Sequence, residues 1–218
     1  MFTGLVEEIG TINSIKKSGK TLTIFIQAKQ ILEDIHLGDS IAVNGVCLTV
    51  TSYKANVFSM DVMPTTFYDT TLHQLQEGMK VNLERAMSAN GRFGGHFVSG
   101  HVDCVGTIIG RLKVENSIVL EVKFPIEYSH LIMEKGSITI DGTSLTIFKT
   151  TDTSFCISLI PHTASVSMIG QKVVGNEVNL EFDLLAKYFD SFMNKKHVLP
   201  TKKESAVTSA FLKENGFY

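Results

Sequence analysis

The chain has 218 residues, 44% of them hydrophobic and 19% charged, and a formal net charge of −2. That composition excludes a disordered chain and allows one large globular domain or two small ones. It also lacks the concentrated positive charge with which a protein grips a phosphate backbone.

The first residues, Met1-Phe2-Thr3-Gly4-Leu5-Val6-Glu7-Glu8, have no basic region, and two acids close their apolar stretch. They do not read as a secretory signal. Residues 21–26 alternate apolar and polar with period two, as do 57–63, 118–124, 144–149 and 178–182, and each predicts a strand. Ser18-Gly19, Gly38-Asp39, Asn44-Gly45, Glu77-Gly78, Asp141-Gly142 and Gly175-Asn176 punctuate these segments. The Asn-Gly and Asp-Gly pairs are hairpin signals, because type I′ turns need positive φ. Short helical pieces are expected at 30–36 and 128–135. The segment Ala89-Asn90-Gly91-Arg92-Phe93-Gly94-Gly95-His96 carries three glycines and no periodicity, and reads as a linker. Leu184, Leu185, Tyr188, Phe189, Phe192 and Met193 recur at helical spacing. They predict an amphipathic helix over 184–196, its stripe packed on the rest of the chain or on copies of itself. Pro200 separates it from a second, weaker helix near 204–213. No apolar run approaches the ~20 residues needed to cross a membrane. Cys47, Cys104 and Cys156 are odd in number and far apart, which favours free thiols in a reducing cytoplasm.

The chain repeats itself. Residues 40–87 lie on 137–184 with a constant shift of 97, no gap, and about 14 of 48 positions identical. Ser40 meets Ser137, Gly45 meets Gly142, Leu48-Thr49 meets Leu145-Thr146, and Pro64 meets Pro161. Val81-Asn82-Leu83-Glu84 meets Val178-Asn179-Leu180-Glu181. With a shift of 96, Gly4, Val6, Gly10, Thr11 and Ile12 meet Gly100, Val102, Gly106, Thr107 and Ile108. A period of that length is domain-sized rather than a solenoid unit. The reading is all-β: a first barrel over 1–87, a linker over 88–97, a second barrel over 98–184 and a helical tail over 185–218. Closure into barrels removes free edges.

Homologous halves inherit homologous sites. The chain therefore either binds two like molecules or joins two molecules of one compound held in near-attack geometry. Cys47 and Thr49 share one strand face, as do Ser144 and Thr146, and their polar groups suit the edge of a heterocycle. Met63-Pro64-Thr65-Thr66 matches Ile160-Pro161-His162-Thr163, where a proline ends a strand and leaves backbone groups outside the ladder. His96, His101, Asp103 and Cys104 crowd together. Five residues separate the histidines, and Cys104 falls on the strand face opposite His101 and Asp103, so no metal is expected. His101 suits acid/base work, since its ordinary pKa lies near neutrality. His96, beside two glycines, reads as structural.

The start Met1-Phe2-Thr3-Gly4, the run Asn44-Gly45-Val46-Cys47-Leu48-Thr49 and its counterpart Asp141-Gly142-Thr143-Ser144-Leu145-Thr146 form one pattern. With Gly95-His96-Phe97-Val98-Ser99-Gly100-His101-Val102-Asp103 and the paired VNLE tetrads, it resembles the riboflavin synthase family of alpha-chain type. The resemblance implies two homologous six-stranded Greek-key β-barrels followed by a C-terminal α-helix, and a homotrimer assembled through that helix. It implies a cytoplasmic enzyme with no cofactor or metal, no nucleic-acid or membrane partner, and association with lumazine synthase. The implied reaction takes two molecules of 6,7-dimethyl-8-ribityllumazine. One gives a four-carbon unit to the other, leaving riboflavin and 5-amino-6-ribitylamino-uracil. The implied site lies between the first barrel of one subunit and the second barrel of a neighbour.

Position by position, the resemblance puts Ser40, Cys47, Leu48 and Thr49 in the first-barrel pocket with Gly4, Leu5 and Val6. Asp61, Val62, Met63, Pro64, Thr65 and Thr66 complete that wall, and Gly100, His101 and Val102 join the same ligand. Lys135, Ser144, Leu145 and Thr146 line the second pocket with Ser158, Leu159, Ile160, Pro161, His162 and Thr163. The implied catalytic set is His101 for proton handling, Cys47 and Ser144 for polarisation, and Ser40, Phe2 and Asp183. Met79 departs from the family signature, which has a small polar residue there. A non-catalytic lumazine- or flavin-binding antenna protein is the alternative, and it would keep one polar set and erode the other. A nucleic-acid-binding barrel is a third reading, disfavoured by the charge balance.

Overall fold

The computed structural model describes residues 1–18, 21–194 and 209–217. The expected turn at Gly19, the break at Pro200 and residues 195–196 and 204–208 of the expected tail helices lie outside the described residues. β1 (Glu8–Ser18), β2 (Thr21–Gln27), β3 (Ser40–Val43), β4 (Val46–Lys54), β5 (Val57–Val62) and β6 (Lys80–Arg85) close into one barrel. Their spatial order is β1-β2-β5-β4-β3-β6. β7 (Cys104–Val114), β8 (Ser117–Lys123), β9 (Ser137–Ile140), β10 (Thr143–Thr150), β11 (Ser154–Leu159) and β12 (Glu177–Phe182) close into a second barrel in the same order. In each, three hairpin-connected strands lie beside the strand that precedes them, which is a Greek-key arrangement.

The alternation read from the sequence decides the inside. Leu22, Ile24 and Ile26 of β2 meet Phe58, Met60 and Val62 of β5 in the first core. Leu120 and Val122 of β8 meet Phe155, Ile157 and Leu159 of β11 in the second. All three cysteines are free thiols.

The expected helical pieces are shorter than read. The first is one 3-10 turn, Gln30–Leu32, because the Glu8 carboxylate accepts from the amides of Lys29 and Ile31 and closes the segment there. The second is a 3-10 run, Ile126–Leu131. Both strand-ending prolines instead start helical turns, α1 (Pro64–Tyr68) and α2 (Pro161–Val166). The carbonyls of Met63 and Ile160 are taken by the amides of Phe67 and Ala164. α3 (Leu184–Asn194) follows β12 directly, and a short α4 (Ser209–Glu214) lies further on. Lys187 of α3 pairs with Asp103 at 2.8 Å, which anchors the helix to the second barrel. Its other face exposes Leu185, Tyr188, Phe189, Phe192 and Met193.

The two barrels meet across their matched turns. Asn44 Oδ1 accepts the Asn82 amide, and Asn82 Nδ2 donates to the Asp141 carbonyl, each at 2.8 Å. Reciprocally, Asp141 Oδ1 accepts the Asn179 amide and Asn179 Nδ2 donates to the Asn44 carbonyl, each again at 2.8 Å. Asn82 Oδ1 further accepts from Met168, and Asn179 Oδ1 from Thr71. The asparagine of each VNLE tetrad is thus a tie into the opposite barrel.

The symmetry breaks at Asp141, which stands where the first half has Asn44. Asp141 is fully buried, and its Oδ2 has no hydrogen bond, only the Lys172 ammonium 3.2 Å away. Burial pushes its carboxyl above the ordinary value, with Lys172 pulling the other way. A raised carboxyl pKa means that stability is full below the ordinary carboxylate range and falls as pH rises through the raised value. Asp141→Asn keeps the acceptor for Asn179 and is expected to be neutral or stabilising by about 1 kcal/mol at neutral pH. Lys172→Met strands the charge and is expected to cost about 3 kcal/mol. Urea melts of the two variants check the opposite signs.

Candidate functional site

Strand alternation builds two matched polar faces. Leu48 and Val50 of β4 point into the first barrel while Cys47 and Thr49 face outward, and Leu145 and Ile147 of β10 point inward while Ser144 and Thr146 face outward. Across β3, Ser40 pairs with Thr49 and Ala42 with Cys47. Across β9, Ser137 pairs with Thr146 and Thr139 with Ser144. The registers Val50↔Met60 and Ile147↔Ile157 bring Asp61 and Ser158 level with Thr49 and Thr146. Each barrel therefore carries an outward polar row: Ser40–Thr49–Asp61 in the first, Ser137–Thr146–Ser158 in the second.

Two extended segments cross to complete these faces. Phe2 and Val98 form an isolated antiparallel bridge, with N···O distances of 2.7 and 3.2 Å. Beyond it the segments part toward opposite barrels. The Gly4 carbonyl accepts the Ser144 amide at 2.7 Å, and the Gly100 carbonyl accepts the Cys47 amide at 2.8 Å. Gly4 therefore meets the second barrel at Ser144 and not the first at Cys47, with which it was grouped, while further along the Glu7 amide donates to the Leu83 carbonyl of the first barrel. The cause is the crossing, a non-local event. A Cβ at Gly4 or Gly100 would stand 2.6 Å from the Cβ of Ser144 or Cys47, so both contacts need glycine. Phe2, expected among the catalytic positions, has its ring fully buried with Ala42 and Val98, and Cys47 packs against that cluster.

The segment read as a linker carries the most constrained side chain of the second face. The amide of His96 donates to the Thr3 carbonyl at 3.1 Å, and its ring is buried. Nδ1 lies 2.7 Å from Ser144 Oγ and Nε2 lies 3.1 Å from Thr139 Oγ1. Burial lowers its pKa below the ordinary 6.5, and the charge of Asp183 works against that. The neutral imidazole has one donor and one acceptor. With Nε2–H turned to Thr139, Nδ1 is left to accept the Ser144 hydroxyl proton. A hydroxyl with an adjacent base is the arrangement of an activated nucleophile. The available signal was Gly94-Gly95: a Cβ on Gly95 would lie 1.9 Å from the Thr3 carbonyl oxygen, so the glycine marks close approach. A depressed histidine pKa means that stability is full above pH 6.5 and is lost as pH falls through the depressed value. His96→Gln is expected to flatten that acid loss, which thermal melts between about pH 5 and pH 7 measure.

The remaining expected residues are placed as follows. The His101 ring is exposed and makes no hydrogen bond among the described residues; its amide donates to Ser99 Oγ at 3.2 Å. Asp183 is half-buried and caps α3 by accepting the Leu185 amide at 2.9 Å. Leu48, Val62, Leu145 and Leu159 pack inside the barrels, so their side chains do not line an outer face. Met63, Thr65, Ile160, Pro161 and His162 are exposed at the barrel ends, and Pro64 is half-buried. Thr66 and Thr163 are half-buried, and their carbonyls accept the hydroxyls of Thr70 and Ser167. Val102 packs against the first core.

Lys135 is exposed and holds φ of +67, at the position matching Gly38, whose φ is +91. A side chain kept in the left-handed region costs about 1 kcal/mol over glycine and points to a use for the ammonium. Lys135→Gly is expected to stabilise the fold by about 1 kcal/mol while weakening ligand binding, a split read by melting and titration on one sample.

The sequence matches the lumazine binding domain family twice, over residues 3–86 and 99–183. It is 51% identical to riboflavin synthase of Bacillus subtilis (strain 168) and 49% identical to riboflavin synthase of Actinobacillus pleuropneumoniae, in each case over 100% of both chains. Among solved structures it is similar to LumP complexed with 6,7-dimethyl-8-(1'-D-ribityl) lumazine, at a TM-score of 0.75 and 28% identity. It is likewise similar to LumP complexed with riboflavin, at a TM-score of 0.77 and 28% identity. Each covers 84% of this chain and 99% of the other.

Proposed function

The chain belongs to the riboflavin synthase family, as two lumazine binding domains in series, and from that premise we propose that it transfers a four-carbon unit between two molecules of 6,7-dimethyl-8-ribityllumazine. The products are riboflavin and 5-amino-6-ribitylamino-uracil. The observation that carries this reading is that both barrels keep the full outward set: a polar row, a crossing glycine carbonyl and a half-buried Cys47 or Ser144. An antenna protein needs only one such face. Two flat rings then lie on like faces, and the chain's main contribution is their mutual placement.

His96 and Ser144 supply the chemistry beside that placement. Ser144 Oγ adds toward C7 of one ring as His96 Nδ1 takes its proton, and the methyl on C7 of the other ring gives up a proton to a base on the first face. No helix among the described residues is long and apolar enough to cross a membrane. The exposed aromatic face of α3 supports assembly into a trimer, which would bring the first barrel of one copy to the second barrel of the next. Truncation after Asp183 is expected to give monomers with little activity, as read by sedimentation and turnover. Incubating the purified chain with the lumazine and following riboflavin absorbance tests the reaction; bound lumazine that never gives product would defeat it.

A further inference from the structure

We propose that Glu84 and Glu181 are positioning residues that act crosswise, the glutamate of each barrel setting the ligand face of the other. Both close a VNLE tetrad, Glu84 on β6 and Glu181 on β12, and both are buried, with 5% and 2% of their surface exposed. Glu84 Oε1 accepts the Thr3 amide at 2.7 Å and the Thr3 hydroxyl at 2.8 Å, and its Oε2 accepts the Gly4 amide at 3.1 Å. Glu181 Oε1 accepts the Ser99 amide at 2.6 Å and the Ser99 hydroxyl at 2.7 Å, and its Oε2 accepts the Gly100 amide at 2.9 Å. The same three donors meet the same acceptor-only group in both halves. Strand pairing alone does not require this, since neither dipeptide belongs to a barrel strand.

What each clamped dipeptide does next gives the direction. Gly4, held by the first barrel's Glu84, offers its carbonyl to Ser144 of the second barrel. Gly100, held by the second barrel's Glu181, offers its carbonyl to Cys47 of the first. Each carboxylate thus fixes a glycine whose carbonyl holds the other barrel's Ser144 or Cys47. Buried as they are, neither touches a ligand; they act through Gly4 and Gly100. The inference rests on the reading that the Ser144 and Cys47 faces are where the substrates lie.

Glu84→Gln and Glu181→Gln test it. Glutamine has the same shape but turns an N–H₂ toward one of three donors, so one contact becomes repulsive. Full-length crystals of wild type and each variant are equilibrated in graded riboflavin, and occupancy is refined at each face. Glu84→Gln is expected to weaken the Ser144 face about tenfold and leave the Cys47 face within about twofold, and Glu181→Gln to do the reverse. If a glutamine variant does not fold, Thr3→Ala and Ser99→Ala remove one donor each and carry the same crosswise expectation, and Thr3→Ser restores the Ser144 face. Loss at the variant's own barrel, or equal loss at both faces with an unchanged melting temperature, overturns crosswise positioning alone. Wild-type crystals that leave both faces empty at saturating riboflavin overturn the reading of the faces and this inference with it.

Discussion

Gly45→Ala is expected to lower the melting temperature by roughly 6–12 °C and to abolish riboflavin formation. Gly45 holds φ of +79, and its partner Gly142 holds φ of +78. A Cβ on Gly45 would lie 2.6 Å from the Gly142 backbone nitrogen, and one on Gly142 would lie 2.8 Å from that of Gly45. Neither atom is the movable end of a side chain. Alanine in the left-handed region costs about 1 kcal/mol by itself. Relief of the clash must separate the two turns, which lengthens the Asn82–Asp141 and Asn179–Asn44 hydrogen bonds at about 1 kcal/mol each. The total is about 3 kcal/mol, and each kcal/mol shifts the midpoint of a chain this size by about 2–4 °C. Activity goes with it, because Gly4 reaches Ser144 only while the barrels stay apposed. Gly38→Ala is the control. Its φ is +91 with nothing within 4 Å, so it meets the strain without the clash. Equal melting shifts in the two variants would remove the barrel contact from the argument.

The duplicated architecture was legible because it is written twice. Period-two alternation in 21–26 and 57–63 marks strands whose inner residues do fill the first core, and the Asn44-Gly45 and Asp141-Gly142 signals do fall at hairpins. The outward facing of Cys47, Thr49, Ser144 and Thr146 followed from the same alternation. What stayed hidden is non-local. Nothing near Gly4 in the chain says that it crosses to Ser144, and nothing near His96 says that its ring settles between two hydroxyls of the second barrel. The VNLE tetrads were visible as a repeat, but alternation assigns Asn82 and Glu84 to a polar outer face. They are buried because that face is covered by the other barrel and the crossing segments. The Gly94-Gly95 pair lies between the two barrels in the chain, and Gly95 is also in close contact with Thr3; the second fact was not legible because glycine signals a linker and a close packing contact with the same letter.

The second large effect separates two histidines. His96→Gln is expected to lower kcat by about 10²-fold or more while riboflavin affinity changes by only a few-fold. The geometry gives the reason. A 2.7 Å contact from Nδ1 to Ser144 Oγ places a base on the hydroxyl, and burial keeps that base neutral at the pH where it must accept a proton. Glutamine can hold the Ser144 hydroxyl by hydrogen bonding but cannot take its proton, so binding survives and turnover does not. Ser144→Ala removes the other half of the pair. Two groups that act as one unit give non-additive losses, so the double variant is expected to be no slower than the worse single variant. The acid limb of the wild-type pH–rate profile should lie below pH 6.5, because the ring's pKa is depressed, and His96→Gln should remove it. His101→Ala is the competing experiment, since its exposed ring is the alternative proton carrier. A large loss of kcat in His101→Ala together with near-normal turnover in His96→Gln would move the proton chemistry to the first face. Additive losses in the double variant would show that His96 and Ser144 do not work as a pair.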